Sequence, residues 1–197
     1  MLRRPFLIAA LLLAAIFALP AFAANPQVEF DTTAGKIKME LYPDAAPKTV
    51  ANFLDYVKAK HYDGTQFHRV IPGFMIQGGG FTPDFMQKPT KPAIAIESEQ
   101  SSKAGMLNVP GTVAMARTGD PNSATAQFFI NVADNKFLNF RSADPQGYGY
   151  TVFGKVIEGM DVVDKIAKAP TGGGGPFPKD VPVQKVIINK AVVVEGK

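Results

Sequence analysis

Cysteine is absent from all 197 residues. The chain therefore has no disulfide, no thiol nucleophile and no thiolate metal site, and its stability must come from a packed core alone. Histidine occurs only twice. Without cysteine beside it, that is too little for the usual zinc donor sets, so no metal is expected. Charge of one sign is scarce as well. The formal net charge is +4, and Arg3 and Arg4 supply two of those charges, leaving +2 on the remainder. No dense Lys/Arg cluster stands out, which makes nucleic acid a poor partner. Internal repeats and long low-complexity spans are also missing, so the length points to one domain.

The one long apolar run sits at the start. Arg3 and Arg4 precede an uninterrupted apolar stretch from Phe6 to Leu19, Pro20 breaks it, and Ala21-Phe22-Ala23 offers a small-x-small cleavage pattern. The run is short of the roughly 20 residues that span a bilayer. A cleaved signal peptide over residues 1–23 is expected, with a single domain over 24–197. The new terminus has no cysteine to carry a lipid, so no membrane attachment is expected after cleavage. An exported chain without disulfides suits a bacterial periplasm better than an animal secretory route.

The remaining chain reads as short strands with few helices. Val28–Thr32 and Lys36–Leu41 alternate apolar and polar residues around an Ala34-Gly35 turn, which predicts a hairpin. Pro47 opens a helix to about Ala59, with Val50, Phe53, Leu54 and Val57 at helical spacing. Two short strands around Pro72-Gly73 come next, then a loop from Phe81 to Pro92. A short strand is predicted over Ala93–Glu97 and a polar turn over Gln100–Gly105. Further strands are predicted at Thr112–Arg117, Gln127–Val132 and Tyr150–Val156, and a second helix over Gly159–Lys168. Thr171–Pro176 reads as a flexible link, and Val183–Val194 as a β run bent near Asn189. This pattern predicts a mainly β antiparallel barrel or sandwich, with two helices available to plug the ends of a barrel.

The densest chemistry lies in Phe67-His68-Arg69-Val70-Ile71-Pro72-Gly73-Phe74-Met75-Ile76-Gln77-Gly78-Gly79-Gly80. On alternation, Phe67, Arg69 and Ile71 share one face of the first strand. Met75 and Gln77 share a face of the second, opposite Phe74, Ile76 and Gly78. A fixed fork of guanidinium donors, an amide and apolar side chains equip a site for holding a peptide. The spacing alone equally fits a hairpin with a surface arginine. His68 should point away from Arg69, and no acid stands at triad-like spacing from it. The glycine triplet lacks the Lys-Ser/Thr of a phosphate loop.

The stretch resembles the signature of the cyclophilin-type peptidyl-prolyl cis/trans isomerases, FHR-x-I-P-G-F-M-x-Q-G-G. Three further segments resemble that family in the family's order. They are Gly111–Arg117, Ser123–Ile130 (fully only from Gln127 onward) and Val152-Phe153-Gly154-Lys155-Val156. The resemblance implies a closed eight-stranded antiparallel β-barrel capped by two α-helices. It implies Arg69 as the catalytic group, with Phe74, Met75, Phe129 and Leu138 lining a pocket for the substrate proline ring. Gln77 and Gln127 would hold polar groups, and Ala116 and Arg117 would meet the residue before the proline through their backbone. Phe137 stands where the best-known eukaryotic form has tryptophan, and Tyr150 where it has histidine. Loss of the indole N–H makes weak cyclosporin binding the expectation.

The expected activity is acceleration of X–Pro rotation in exported proteins as they fold, with proline-containing peptides as ligands and a monomer as the default state. Two other readings remain. One is a non-catalytic peptide-binding chaperone on the same barrel. The other is a barrel carrying a small apolar ligand, against which the many bulky apolar residues speak.

Overall fold

Alternation in the first hairpin decides which face of the sheet turns inward. The computed structural model describes residues 24–194, so the expected leader over 1–23 lies outside the described residues. Strand β1 (Gln27–Thr32) pairs with β2 (Gly35–Leu41), setting Val28 opposite Met39 and Phe30 opposite Ile37, all fully buried. Helix α1 (Pro47–Lys58) begins on its proline and buries Val50, Phe53, Tyr56 and Val57. The chain continues through β3 (Thr65–Gln66), β4 (Arg69–Ile71), β5 (Met75–Gly78), α2 (Ser98–Lys103), β6 (Thr112–Met115) and β7 (Phe128–Asn131). A 3-10 turn follows at Lys136–Leu138, then β8 (Val152–Glu158), α3 (Met160–Ala167), β9 (Thr171–Gly174), β10 (Phe177–Pro182) and β11 (Ile187–Val194).

Nine of these strands form one antiparallel sheet in the order β3-β11-β1-β2-β8-β6-β7-β5-β4. Its two edges, β3 and β4, are consecutive pieces of chain separated only by Phe67 and His68. They amount to one interrupted strand whose first half pairs with β11 and whose second half pairs with β5. The sheet must therefore curl until its edges nearly meet. Counted this way it has eight strand positions, the number the family resemblance implies. The fold is mainly β, with a curled antiparallel sheet and few helices.

Rings fill the interior of the curl. Phe53 from α1 lies 4.9 Å from Phe153, 5.1 Å from Tyr62 and edge-on to Phe128 at 5.7 Å. Val163, Ile166 and Ala167 of α3 join the same cluster. Aromatic contacts of this kind occupy the space that a carried ligand would need.

Four local expectations are corrected. Gln100–Gly105 belongs mostly to helix α2, whose buried residues are the polar Ser98 and Ser101, so no apolar period announces it. Ser101 is held by donating to the Val152 carbonyl at 2.6 Å. Ala93–Glu97 forms no strand, only a single bridge between Ile94 and Ala124. The glycine run is not a link but β9, paired with β10 in a separate two-stranded sheet. The predicted strand from Tyr150 begins at Val152. The bend near Asn189 is present: Asp31 pairs with Lys190 and Thr32 with Ile188, so Asn189 is skipped. Among the described residues no helix is long and apolar enough to cross a membrane.

Candidate active site

Strands β4, β5 and β7 lie side by side, and period two sends their residues to opposite faces. Val70, Ile76, Phe128 and Ile130 point into the aromatic interior. Met75 and Phe129 point outward into a second, small cluster with Ala114, Leu138 and Val152. Arg69 stands directly opposite Gln77, and Gln77 opposite Phe129. Phe67 does not share the face of Arg69. It is fully buried in the interior, because the strand is interrupted at Phe67-His68 and the parity resets there. Phe74, expected on the face opposite Met75, packs instead against Met75's outer cluster from the turn ahead of β5.

The outward face holds a cavity of about 340 Å³. Arg69, Phe74, Met75, Gln77, Ala116, Arg117, Gln127, Phe129, Leu138 and Tyr150 all line it. Phe137 does not. It is 63% exposed and stacks on the outer side of Phe74 with centroids 5.6 Å apart.

A polar relay crosses the floor. The Arg69 guanidinium donates to Gln77 Oε1 at 3.5 Å, and Gln77 Nε2 donates to Gln127 Oε1 at 3.0 Å. This pairing turns Gln77 Oε1 towards the guanidinium and the Gln77 amino group towards Gln127. Gly80 makes room for this arrangement, since a Cβ there would come within 2.6 Å of the Gln127 side chain. Arg69 is exposed, and among the described residues no carboxylate lies within ion-pair distance of it. Arg117 is spent locally. It donates to the Gly149 carbonyl at 2.9 Å and lies over the Tyr150 ring at 4.7 Å, while the Ala116 N–H is donated to the Gln127 carbonyl at 3.0 Å.

The walls are tied together from behind by buried asparagines that the sequence did not single out. Asn135 donates to the Phe74 carbonyl at 2.9 Å and to Asn131 Oδ1 at 2.7 Å. Asn131 donates to Asn108, which donates to the Leu138 carbonyl at 3.1 Å. Full pairing of buried amides in this way holds the two sides of the recess at fixed separation. Phe74 is legible as a wall from the motif and Leu138 from the family resemblance; the residues that fix their spacing carry no period or motif.

Three more residues line the cavity without having been expected there: His68, Phe81 and Phe177. His68 is only 2% exposed, edge-on to Phe81 at 4.7 Å and tilted on Phe177 at 5.4 Å. Burial pushes its imidazole down from 6.5 to about 4, and the neighbouring Arg69 charge adds to the effect. His68 is thus neutral near pH 7, and its Nδ1 has no partner.

None of the lining residues is a serine, cysteine or carboxylate. Among the described residues no group of histidines and acids is placed to hold a metal. What the site presents is an apolar recess, an oriented amide pair and a guanidinium with no acidic partner.

Comparison with known proteins identifies the family. Residues 27–193 match the family model described as cyclophilin type peptidyl-prolyl cis-trans isomerase/CLD. A peptidyl-prolyl cis-trans isomerase of Streptomyces antibioticus is 58% identical over 167 residues, covering 85% of this chain and 98% of its own. Peptidyl-prolyl cis-trans isomerase B of Escherichia coli K12 is 54% identical over 168 residues, covering 85% and 99%. A crystal structure of a Cryptosporidium parvum cyclophilin, determined in the presence of the dipeptide Ala-Pro, superposes with a TM-score of 0.71 at 27% identity, covering 86% of this chain and 99% of that one. The curled sheet, the match along nearly all the described residues and the identity to bacterial isomerases agree, and the chain belongs to the family of cyclophilin-type peptidyl-prolyl cis-trans isomerases.

Proposed function

We propose that Arg69 accelerates X–Pro rotation by stabilising the twisted amide, and that the substrates are exported proteins folding in the periplasm. The observation that carries the mechanism is a guanidinium without a carboxylate, set beside an apolar recess without a nucleophile. Rotation about X–Pro breaks no bond, so no acid, base or cofactor is needed. The barrier of roughly 18–20 kcal/mol comes from amide resonance. Twisting localises a lone pair on the prolyl nitrogen, and a cation near that nitrogen favours the twisted state over either planar one. Arg69 is free to act in this way because, among the described residues, no acid lies within ion-pair distance of it.

Phe74, Met75, Phe129 and Leu138 would grip the proline ring while the rest of the peptide swings. Desolvation of the more polar planar amide in this recess works in the same direction. Gln127, oriented through Gln77, would offer its amino group to the peptide backbone, and Ala116 and Arg117 would flank the residue before the proline. The crystal structure of the Cryptosporidium relative in the presence of Ala-Pro supports proline-containing ligands. The leader-like residues 1–23 and the absence of cysteine support export to a periplasm.

The test is isomerisation of a short X–Pro peptide by the chain starting at Ala24, beside Arg69→Ala. Strong acceleration that the variant largely loses supports the mechanism. Equal acceleration by both proteins overturns the role of Arg69. Peptide binding with no acceleration by either would replace catalysis with the peptide-binding reading.

A further inference from the structure

The cavity does not stop at Arg69. Beyond β4, the sheet's edge, lies the β9–β10 hairpin, which packs against β4 and puts Phe177 into the cavity wall. The strand order gives the cleft a direction. From β6, which leads into Ala116, it passes β7 with Phe129, β5 with Met75 and Gln77, and β4 with Arg69, and ends at Phe177.

Phe177 is held rather than loosely attached. It meets Phe81 edge-on at 5.2 Å, rests tilted on His68 at 5.4 Å and touches Phe85 at 6.1 Å. The glycines of the hairpin make this possible. A Cβ at Gly175 would fall 2.3 Å from the Phe85 ring, and one at Gly174 would fall 2.8 Å from it, so only a bare backbone lets that ring lie flat against the hairpin. Phe177 nevertheless remains partly exposed, on the side that faces the cavity. A fixed, half-open aromatic next to a guanidinium is a surface for an apolar side chain.

We propose that Phe177, backed by Phe81, forms an apolar subsite for the side chain of the second residue after the proline. The assignment rests on the isomerase reading above, in which the proline ring lies between β7 and β5 and the preceding residue lies near Ala116. The peptide must then leave across β4 towards the hairpin. Neighbouring strands are about 4.8 Å apart, so the far side of β4 is roughly 7 Å or more from the ring. An extended peptide advances about 3.4 Å per residue, which brings the second residue after the proline to that point.

The experiment measures kcat/KM by NMR exchange for Ala-Ala-Pro-Ala-Phe-Ala and Ala-Ala-Pro-Ala-Gly-Ala, with the native chain, Phe177→Ala and Phe177→Leu. An apolar subsite discriminates by about tenfold or more. The native protein should favour the phenylalanine peptide by about tenfold, Phe177→Ala should bring the ratio close to one, and Phe177→Leu should keep most of the preference. A Phe177 that merely supports the fold lowers both rates and leaves the ratio unchanged, and that result overturns the subsite. So does a native ratio of one. If the native chain accelerates neither peptide, the isomerase reading falls first and the subsite with it, an outcome distinct from acceleration without preference.

Discussion

Strands β5 and β7 carry two regions of different character on their opposite faces. Inward, Ile76, Phe128 and Ile130 are sealed among rings from α1 and the first hairpin. Outward, one residue along, Met75 and Phe129 belong to a cluster of five buried residues that leaves a cavity open beside it. The inner face is closed by neighbours on every side, so its value lies in burial. The outer face is incomplete, and a peptide ring can finish it. Alternation along a strand thus separates stability from activity by a single residue.

The sharpest way to break that contrast is the neighbouring pair Phe128 and Phe129. Phe128→Ala opens a sealed cavity and should cost about 3–5 kcal/mol in urea unfolding. Phe129→Ala enlarges a recess that is already open beside it. It should cost less, about 1–3 kcal/mol by lost burial, yet lower kcat/KM by about tenfold or more for each 1.4 kcal/mol of lost ring contact. Equal stability losses at the two positions would refute the division.

Arg69→Ala should show the converse. We expect isomerisation to fall by about 100- to 1000-fold, the range for removing one preorganised electrostatic contact. The denaturation midpoint should stay within about 0.5 kcal/mol of native, as for other exposed positions.

His68 sits where the two regions meet, and pH tests it. Its folded value of about 4 lies below the ordinary 6.5, so the folded state binds fewer protons than the unfolded one. The stability this represents is fully present above pH 6.5, is lost as pH falls from 6.5 to about 4, and declines no further below that. The gap corresponds to about 3 kcal/mol. Unfolding of the native protein at pH 7.5 and 4.5 should show most of it, and His68→Asn should flatten that part of the profile. An unchanged profile in the variant would assign the acid sensitivity elsewhere.

The smallest expected effect is at the rim. Phe137→Trp restores an indole N–H beside Phe74, and one hydrogen bond is worth about 0.5–1.5 kcal/mol. Cyclosporin affinity, measured by calorimetry, should rise by about two- to tenfold with stability unchanged. No rise would show that a donor at this position is not what limits the affinity.

Residues that act through alternation or through a contiguous motif are legible in the sequence itself. Val28, Phe30, Ile37 and Met39 announce the inward face, and the run from Arg69 to Gln77 announces the outer one. What fails to show depends on partners far along the chain. Phe67 departs from the parity of Arg69 because a two-residue interruption lets one strand serve two neighbours. The run Gly172–Gly175 reads as a link because its strand is made by packing on Phe85, nearly ninety positions earlier, rather than by its own side chains. Asn108, Asn131 and Asn135 look like ordinary polar residues until the fold brings them together. Phe177 is hidden for the same reason. Local pattern reports on local geometry, and these four features are not local.

The pairing of the first strand with the last has a consequence for how the protein is made. Gln27 opposes Val194 and Phe30 opposes Ala191, so β1 finds one of its two neighbours only after β11 has been made. An unfinished chain has no means of closing this ladder, and contacts of such high order form late. The β1–β11 and β3–β11 ladders of the nascent polypeptide therefore stay open until β11 emerges. That delay suits the export proposed here, in which a chain must be threaded before it folds.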